Sequence, residues 1–436
     1  MQIKYGTYVW FILVLVSILS LWIPLTPAYS MSFGSFDPRA MAMGGTGVSS
    51  GTSANASHYN PALLSIGQRE RLSLEIPVFT LRLADPQGLQ DAIDTYQAAG
   101  YETTLTTATN TFNTSGSIAE FQTNASAMVT ALQNLKNGII TTLSNRALIA
   151  EANLGVVIAA PGDTFGFSLY SNARSTGGVR LLIDNTDFAL LDNFLAEMNN
   201  VVLTGIPDLA NPIYSGGQLS NAGQTLNSSF DVRGATVVET GLSLSKRFRL
   251  FYLPVSIGIT PKSVSISTFD YSAGLSTGSY STSQGNKDYT DSNFDVGIAT
   301  HLGRGLRFGL VGKNLLAKSY TTIRGNPIEI KPQFRAGISH HTRWSVIAVD
   351  ADLIKNDPIG FDEPTRFVSA GIELNIFRTA QIRAGIKKNL AATVTSSEAP
   401  VMSVGAGLSP FGIHLDLAYA ASQNDHALAV QLGFQF

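Results

Sequence analysis

The chain has 436 residues, a formal net charge of −2, 14% charged residues and no cysteine. Without cysteine, disulfides and thiolate metal sites are excluded, and the balanced charge argues against the clustered basic face that a nucleic-acid partner wants. Charged residues fall well below the ~25% of ordinary soluble domains, and the length is too great for one small core.

Lys4 precedes an apolar run, Tyr8–Ile23, followed by Pro24, Pro27 and Ala28-Tyr29-Ser30. A basic start, an apolar middle and small residues before a cut describe a secretory signal peptide over 1–30, cleaved after Ser30. The run is shorter than the ~20 residues of a spanning helix. Residues 31–70 are Gly/Ser-rich and dominated by turn formers, and a first strand is expected at Arg71–Thr80. From 85 to 146 the period changes: Leu89, Ile93 and Tyr96, then Met128, Leu132, Leu135 and Ile139, have helical spacing around an aperiodic Thr/Asn-rich run. A second insert, 185–231, carries the stripe Phe188, Leu191, Leu195, Met198, Val202, with Asn185 or Thr186 as its cap. The stripe is expected to pack against the first insert or the body of the protein.

Between and after the inserts, short alternating segments crowd together. They include Glu151–Ala160, Thr164–Asn172, Thr236–Ser245, Phe251–Thr260 and Ser263–Tyr271. After a polar, Gly-rich loop (274–291) they continue to Phe411–Ala420 and Ala427–Phe436. In the last of these, Leu428, Val430, Leu432, Phe434 and Phe436 share one face, as period-two alternation on a strand requires. About fourteen such strands, each near the 9–11 residues that cross a bilayer, predict an all-β transmembrane barrel, antiparallel and closed.

Parity then assigns faces. Arg307, Arg335, Asp350, Asp352, Glu373, Arg383, Lys387, His414 and Asp416 each oppose apolar neighbours. A charge on the lipid face costs ~2–4 kcal/mol at mid-bilayer, so these groups are expected in the lumen. There the four carboxylates are expected to neutralise the four cations. His414 and Asp416 share a face, which allows a hydrogen bond between them.

No segment carries strong catalytic chemistry, and no cofactor or metal is expected. Gly274-Leu275-Ser276-Thr277-Gly278 spells a nucleophile elbow but lacks the helix that such a turn needs. His340 and His341 point to opposite faces of a strand and cannot chelate together. Gly45-Thr46-Gly47 lacks the preceding strand of a nucleotide loop.

The stretch Asp37-Pro38-Arg39-Ala40-Met41-Ala42-Met43-Gly44-Gly45-Thr46-Gly47-Val48, with His58-Tyr59-Asn60-Pro61-Ala62-Leu63 after it, resembles the mature N-terminus of the long-chain fatty-acid transporter (FadL-like) barrels. Gly309–Leu315, Phe334–Ile338, Ala348–Leu353 and Pro410–Leu417 bring the likeness closer to the TraF-type conjugal-transfer outer-membrane proteins. The resemblance implies a barrel over 71–436 with residues 31–70 folded into its lumen as a plug. The plug motif is then Arg39, Met43, Gly44, Gly45, Gly47, Tyr59, Asn60, Pro61 and Ala62. The terminal aromatics, Phe434 and Phe436, resemble the signal read by the barrel-assembly machinery.

The expected location is the bacterial outer membrane, with its lipid as one partner. A role in an envelope transfer or secretion assembly, with the inserts as docking surface, leads. Passive transport of a hydrophobic small molecule is the alternative, and an outer-membrane lipid hydrolase a distant third. An apolar tunnel lined near 31–65 would favour transport. A sealed, ion-paired lumen with an apolar patch on the inserts would favour docking.

Overall fold

The computed structural model describes residues 33–66, 72–144, 146–224, 226–250, 253–274, 285–357, 359–377, 379–391 and 399–436. The signal-peptide segment and Leu275–Gly278 lie outside the described residues. Alternation does what the sequence led us to expect, because every backbone group in lipid must be paired and a closed sheet leaves no open rim. Fourteen antiparallel strands close into one barrel. In chain order they are β1 Ser73–Ala84, β2 Ala147–Ala160, β3 Phe165–Leu182, β4 Ser229–Leu250, β5 Leu253–Gly274, β6 Asn286–His301 and β7 Leu306–Lys313. The rest are β8 Gln333–His341, β9 Ser345–Asp352, β10 Phe367–Ile376, β11 Ala380–Asn389, β12 Val401–Leu408, β13 Ile413–Ala421 and β14 Asp425–Gln435. Each pairs with its sequence neighbours, and β14 pairs back onto β1, from Ser73 opposite Gln435 to Ala84 opposite Asp425.

Several boundaries differ from the sequence reading. Over residues 253–271, the expected strands Phe251–Thr260 and Ser263–Tyr271 belong to one strand, β5, which runs straight through Pro261, Phe251 itself lying outside the described residues. Proline has no N–H to give, so the ladder to β4 skips there, but pairing to β6 continues through Thr260–Asp295, Pro261–Phe294 and Lys262–Asn293. Residues 286–291, read as loop, begin β6. Phe411 is not on β13 but in the preceding turn, fully exposed with φ of 54°.

Strands β3 to β6 have 18, 22, 22 and 16 residues, well past what a bilayer needs. Their outward residues turn polar at Ser171, Thr240, Ser263 and Ser292. Beyond that level the outer face meets water, which is why outward hydrophobic residues could not mark these extensions. A hairpin, Lys318–Thr321 with Pro327–Ile330, packs Tyr320, Ile328 and Ile330 onto the inner side of this tall wall, against Val237, Val264 and Ile266.

All long connections leave one end of the barrel. The first insert holds helices α3 Leu89–Ala99, α4 Tyr101–Asn113 and α5 Ile118–Gly138 (α1 and α2 belong to the plug, below), and the second holds α6 Asn185–Thr204. Helix α4 occupies the Thr-rich run that shows no period. Its threonine hydroxyls donate back to carbonyls one turn earlier, Thr107 to Thr103 and Thr109 to Leu105 at 2.9 Å each. Ser117 and Glu120 form a capping box on α5, and the N–H groups of Gly116 and Ser117 hold the Glu120 carboxyl below its ordinary range. Asp184, not Asn185 or Thr186, caps α6.

The two inserts share one core. Leu105, Phe112, Met128, Leu132 and Leu135 meet Leu191, Phe194, Met198 and Val201. Neither insert can bury its apolar stripe alone. Replacing 89–143 with a short linker is therefore expected to leave 185–228 sensitive to protease. A resistant second insert after that replacement would contradict the shared core.

Candidate functional site

The lumen is filled by residues 33–66, most of them buried. The sequence explains how so short a stretch becomes rigid. Pro38 fixes φ at the start of α1, Pro38–Ala42, and the Asp37 carboxylate accepts from Ala40 N at 3.0 Å to cap it. Helix α2, Ala56–Tyr59, leads into a 3₁₀ turn, Pro61–Ser65, which Asn60 caps by accepting from Ala62 N at 3.0 Å. The Tyr59 hydroxyl accepts from Phe36 N at 2.8 Å and Asp37 N at 3.2 Å, tying the second half of the plug to the first.

Every residue of the plug motif has a placement in this arrangement. Arg39 donates to Glu373 of β10 at 2.8 and 3.2 Å and to the Ser50 carbonyl at 2.7 Å. Met43 is fully buried with Val346 and Ala348 of β9. Gly44 and Gly45 have φ of 71° and 89°, which side chains resist. A Cβ on Gly47 would lie 2.5 Å from the Tyr59 ring. Asn60 donates to the Val48 carbonyl at 3.0 Å and the Ile298 carbonyl at 3.1 Å, joining plug to β6. Pro61 and Ala62 lie against Gly258 of β5.

The seat itself escaped sequence reasoning. Inward-facing glycines lie against the plug: Gly297 meets the Asn60 side chain, Gly309 the Val48 carbonyl, and Gly371 and Gly385 the backbone of Met43 and Gly44. The signal was present as Ala-Gly-Ile, repeated at 336–338, 370–372 and 384–386. In each copy the isoleucine is exposed on the outer face and the glycine takes the opposite one.

The charged wall residues divide into groups. Below the plug, Arg383 shares Glu373 with Arg39, at 2.7 Å, and also pairs with Asp416. His414 pairs with Glu75 of β1 at 2.7 Å and not with Asp416, and Gln431 donates to the same Glu75 oxygen at 2.6 Å. These groups line a polar cavity of about 170 Å³ at the short-turn end. Toward the cap end, Arg335 pairs with Asp352 at 2.6 Å and gives a second N–H to the Gly45 carbonyl. Asp350 meets no arginine in an ion pair. It accepts instead from Gly47 N at 2.8 Å and Val48 N at 2.9 Å, holding the plug directly.

Lys387 lies higher, its ammonium 4.5 Å from the centre of the Phe367 ring. It lines a cavity of about 210 Å³ with Arg82, Asp362 and Asp425, themselves ion-paired at 2.8 and 3.0 Å. Arg307 lies at the short-turn end, opposite His301 and Ser339. A further buried triad, Lys262 with Glu239 at 2.9 Å and Asp295 at 3.0 Å, was not singled out in the sequence, although Pro261 before the lysine concealed a continuous strand.

One discontinuity marks the wall. Between Glu75 and Val78 of β1 the register shifts against both β14 and β2, so Ile76 and Pro77 pair with neither neighbour. Among the described residues no cluster of three or more metal-ligating side chains occurs.

Comparison with known proteins agrees with this architecture. No curated protein matches the sequence. Among solved structures, a mutant of the monoaromatic hydrocarbon channel TodX is similar at TM-score 0.52 and 11% identity, covering 92% of this chain and 99% of its own. The toluene transporter TbuX of Ralstonia pickettii gives 0.48 at 12%, covering 93% and 99%. A FadL homologue of Pseudomonas aeruginosa gives 0.45 at 12%, covering 94% and 99%. At such identities the likeness shows the fold. The family described as F plasmid transfer operon, TraF, protein matches residues 57–352, more than half of the sequence. The chain therefore belongs to the family described as F plasmid transfer operon, TraF, protein, and its fourteen-strand barrel is similar in fold to that of the TodX mutant.

Proposed function

We propose that this protein is a closed outer-membrane barrel that serves an envelope transfer or secretion assembly, with its helical cap as the docking surface. It is not read as an enzyme. The observation that carries the proposal is the lumen, which is occupied by a plug tied to the wall through buried ions and amides. The cavities beside the plug are small, and charged groups such as Glu151, Arg174, Lys387 and Asp425 line them alongside apolar ones such as Phe33 and Phe367.

By the rule that such barrels keep short turns on the periplasmic side, the cap faces outward from the cell. At its tip, Ile118, Leu203, Ile206 and Leu209 are exposed, and Ile118 lies against Gly205 between the others. Exposed apolar side chains gathered at one edge suit a protein partner.

A second reading, passage of a hydrophobic small molecule, has the break at Ile76–Pro77 in its favour, together with the hydrocarbon channels among its structural neighbours. Against it, the groups just inside the break are Glu75, His414 and Gln431, which suit an apolar solute poorly.

Two measurements separate the readings. With a photo-crosslinker at Leu203, docking predicts a discrete protein adduct in cells that disappears when Ile206 and Leu209 become serine. It also predicts that toluene enters outer-membrane vesicles at the same rate with and without the barrel. Faster entry with the barrel and no adduct would overturn the proposal in favour of transport.

A further inference from the structure

The two ends of the barrel carry opposite charge. At the cap, residues 85–144 and 183–228 hold ten carboxylates against one lysine, Lys136. At the other end, the turns and strand ends (161–167, 246–250, 253–255, 301–307, 340–345, 376–377, 379–381 and 408–413) hold, among the described residues, six lysines and arginines against one carboxylate, Asp163. Inside the lumen, cations such as Arg39, Arg335, Arg383 and Lys262 are matched by carboxylates at 3.0 Å or less. On the rim the pattern reverses. Among the described residues Lys246, Arg249, Arg304 and Arg343 are exposed and take part in no ion pair within the chain.

Their position is as informative as their sign. Lys246 is on the outer face of β4, its ammonium 4.8 Å from the Phe165 ring centre and 5.3 Å from that of Phe248. Arg343 lies 5.2 Å from the ring of Trp344, which is itself exposed. Arg304 and Arg343 occupy adjacent turns, joined where the His340 ring meets the Arg304 carbonyl at 3.0 Å. Exposed aromatics at the edge of an apolar belt mark the depth of lipid head groups. Cations laid over those rings therefore stand at the level of the phosphates.

We infer that the short-turn rim is a binding surface for anionic phospholipid head groups, through Lys246, Arg249, Arg304 and Arg343. An acidic protein would meet cations pointing away from the barrel end. Here Lys246 points sideways, into the belt, where a lipid phosphate can reach it and a soluble protein cannot. Each exposed cation contributes about a fivefold preference for an anionic over a neutral surface.

The test uses the intact chain, refolded into vesicles of phosphatidylcholine with phosphatidylglycerol, extracted in mild detergent and weighed by native mass spectrometry. The chain is expected to retain phosphatidylglycerol over phosphatidylcholine. Lys246→Gln, Arg249→Gln, Arg304→Gln and Arg343→Gln should together lower that ratio, by about fivefold for each cation lost. Asp91→Asn with Asp94→Asn on the cap should leave it unchanged. Equal retention of both lipids by the intact chain, or an unchanged ratio in the fourfold variant, would overturn the inference. If the fourfold variant does not fold, the intact chain's preference is read at rising salt. A falling preference supports the inference, and one indifferent to salt removes it.

Discussion

Replacing Glu373 with alanine is expected to lower the unfolding free energy of the reconstituted barrel by roughly 3 kcal/mol. Its two oxygens serve two guanidinium groups, Arg39 of the plug and Arg383 of β11. Removing the carboxylate leaves two buried cations short of an acceptor. Arg383 keeps Asp416 and Arg39 keeps the Ser50 carbonyl, so the loss stays below that of an isolated pair destroyed outright. Urea titration in vesicles, followed by tryptophan fluorescence, reads the change. A loss below about 1 kcal/mol would show that the neighbouring cavity solvates both arginines as well as the carboxylate does.

Gly385→Val is expected to expel the plug without opening the barrel wall. A Cβ at that position overlaps the backbone of Met43 and Gly44, where no side chain can rotate aside. Overpacking against a flexible neighbour costs about 1–3 kcal/mol, and backbone against backbone costs more. The outer face of β11 is untouched, so strand pairing to β10 and β12 should persist. Planar-bilayer recording should then show a steady conductance that the unsubstituted protein lacks, and protease should cut within 33–66. Gly116→Ala is the control, since its Cβ meets nothing closer than a Glu120 oxygen at 3.7 Å. A silent, protease-resistant Gly385→Val barrel would mean that the plug can shift its seat.

The fold was legible because lipid imposes a strict rule on strands, and β14 shows it residue by residue from Leu428 to Phe434. Legibility ended where that rule ended. Above the bilayer, β3 runs on past Ser171 with small and polar residues outside, while β4 and β5 turn Val237, Val264 and Ile266 inward beneath the hairpin. The Thr-rich helix α4 was hidden because threonine has low helix propensity, which the burial of Leu105, Thr109 and Phe112 overrides. In the lumen, parity pointed to charged side chains facing inward but could not pair them. Asp350 was expected among four carboxylates neutralising four cations and in the structure grips two amides. His414 was matched with Asp416 and in the structure faces Glu75. Partners across a barrel come from strands remote in sequence, so their distances appear only once the cylinder is closed.

That the first strand borders the last has a consequence for biogenesis. The plug precedes β1 in the chain, and the β1–β14 seam is the join that completes the wall. An already ordered stopper would otherwise have to be pushed through a finished ring narrower than itself. Here the ring can be drawn around it, as a cooper closes staves on a bung, and the glycine seats can mould to the plug before the last seam is made.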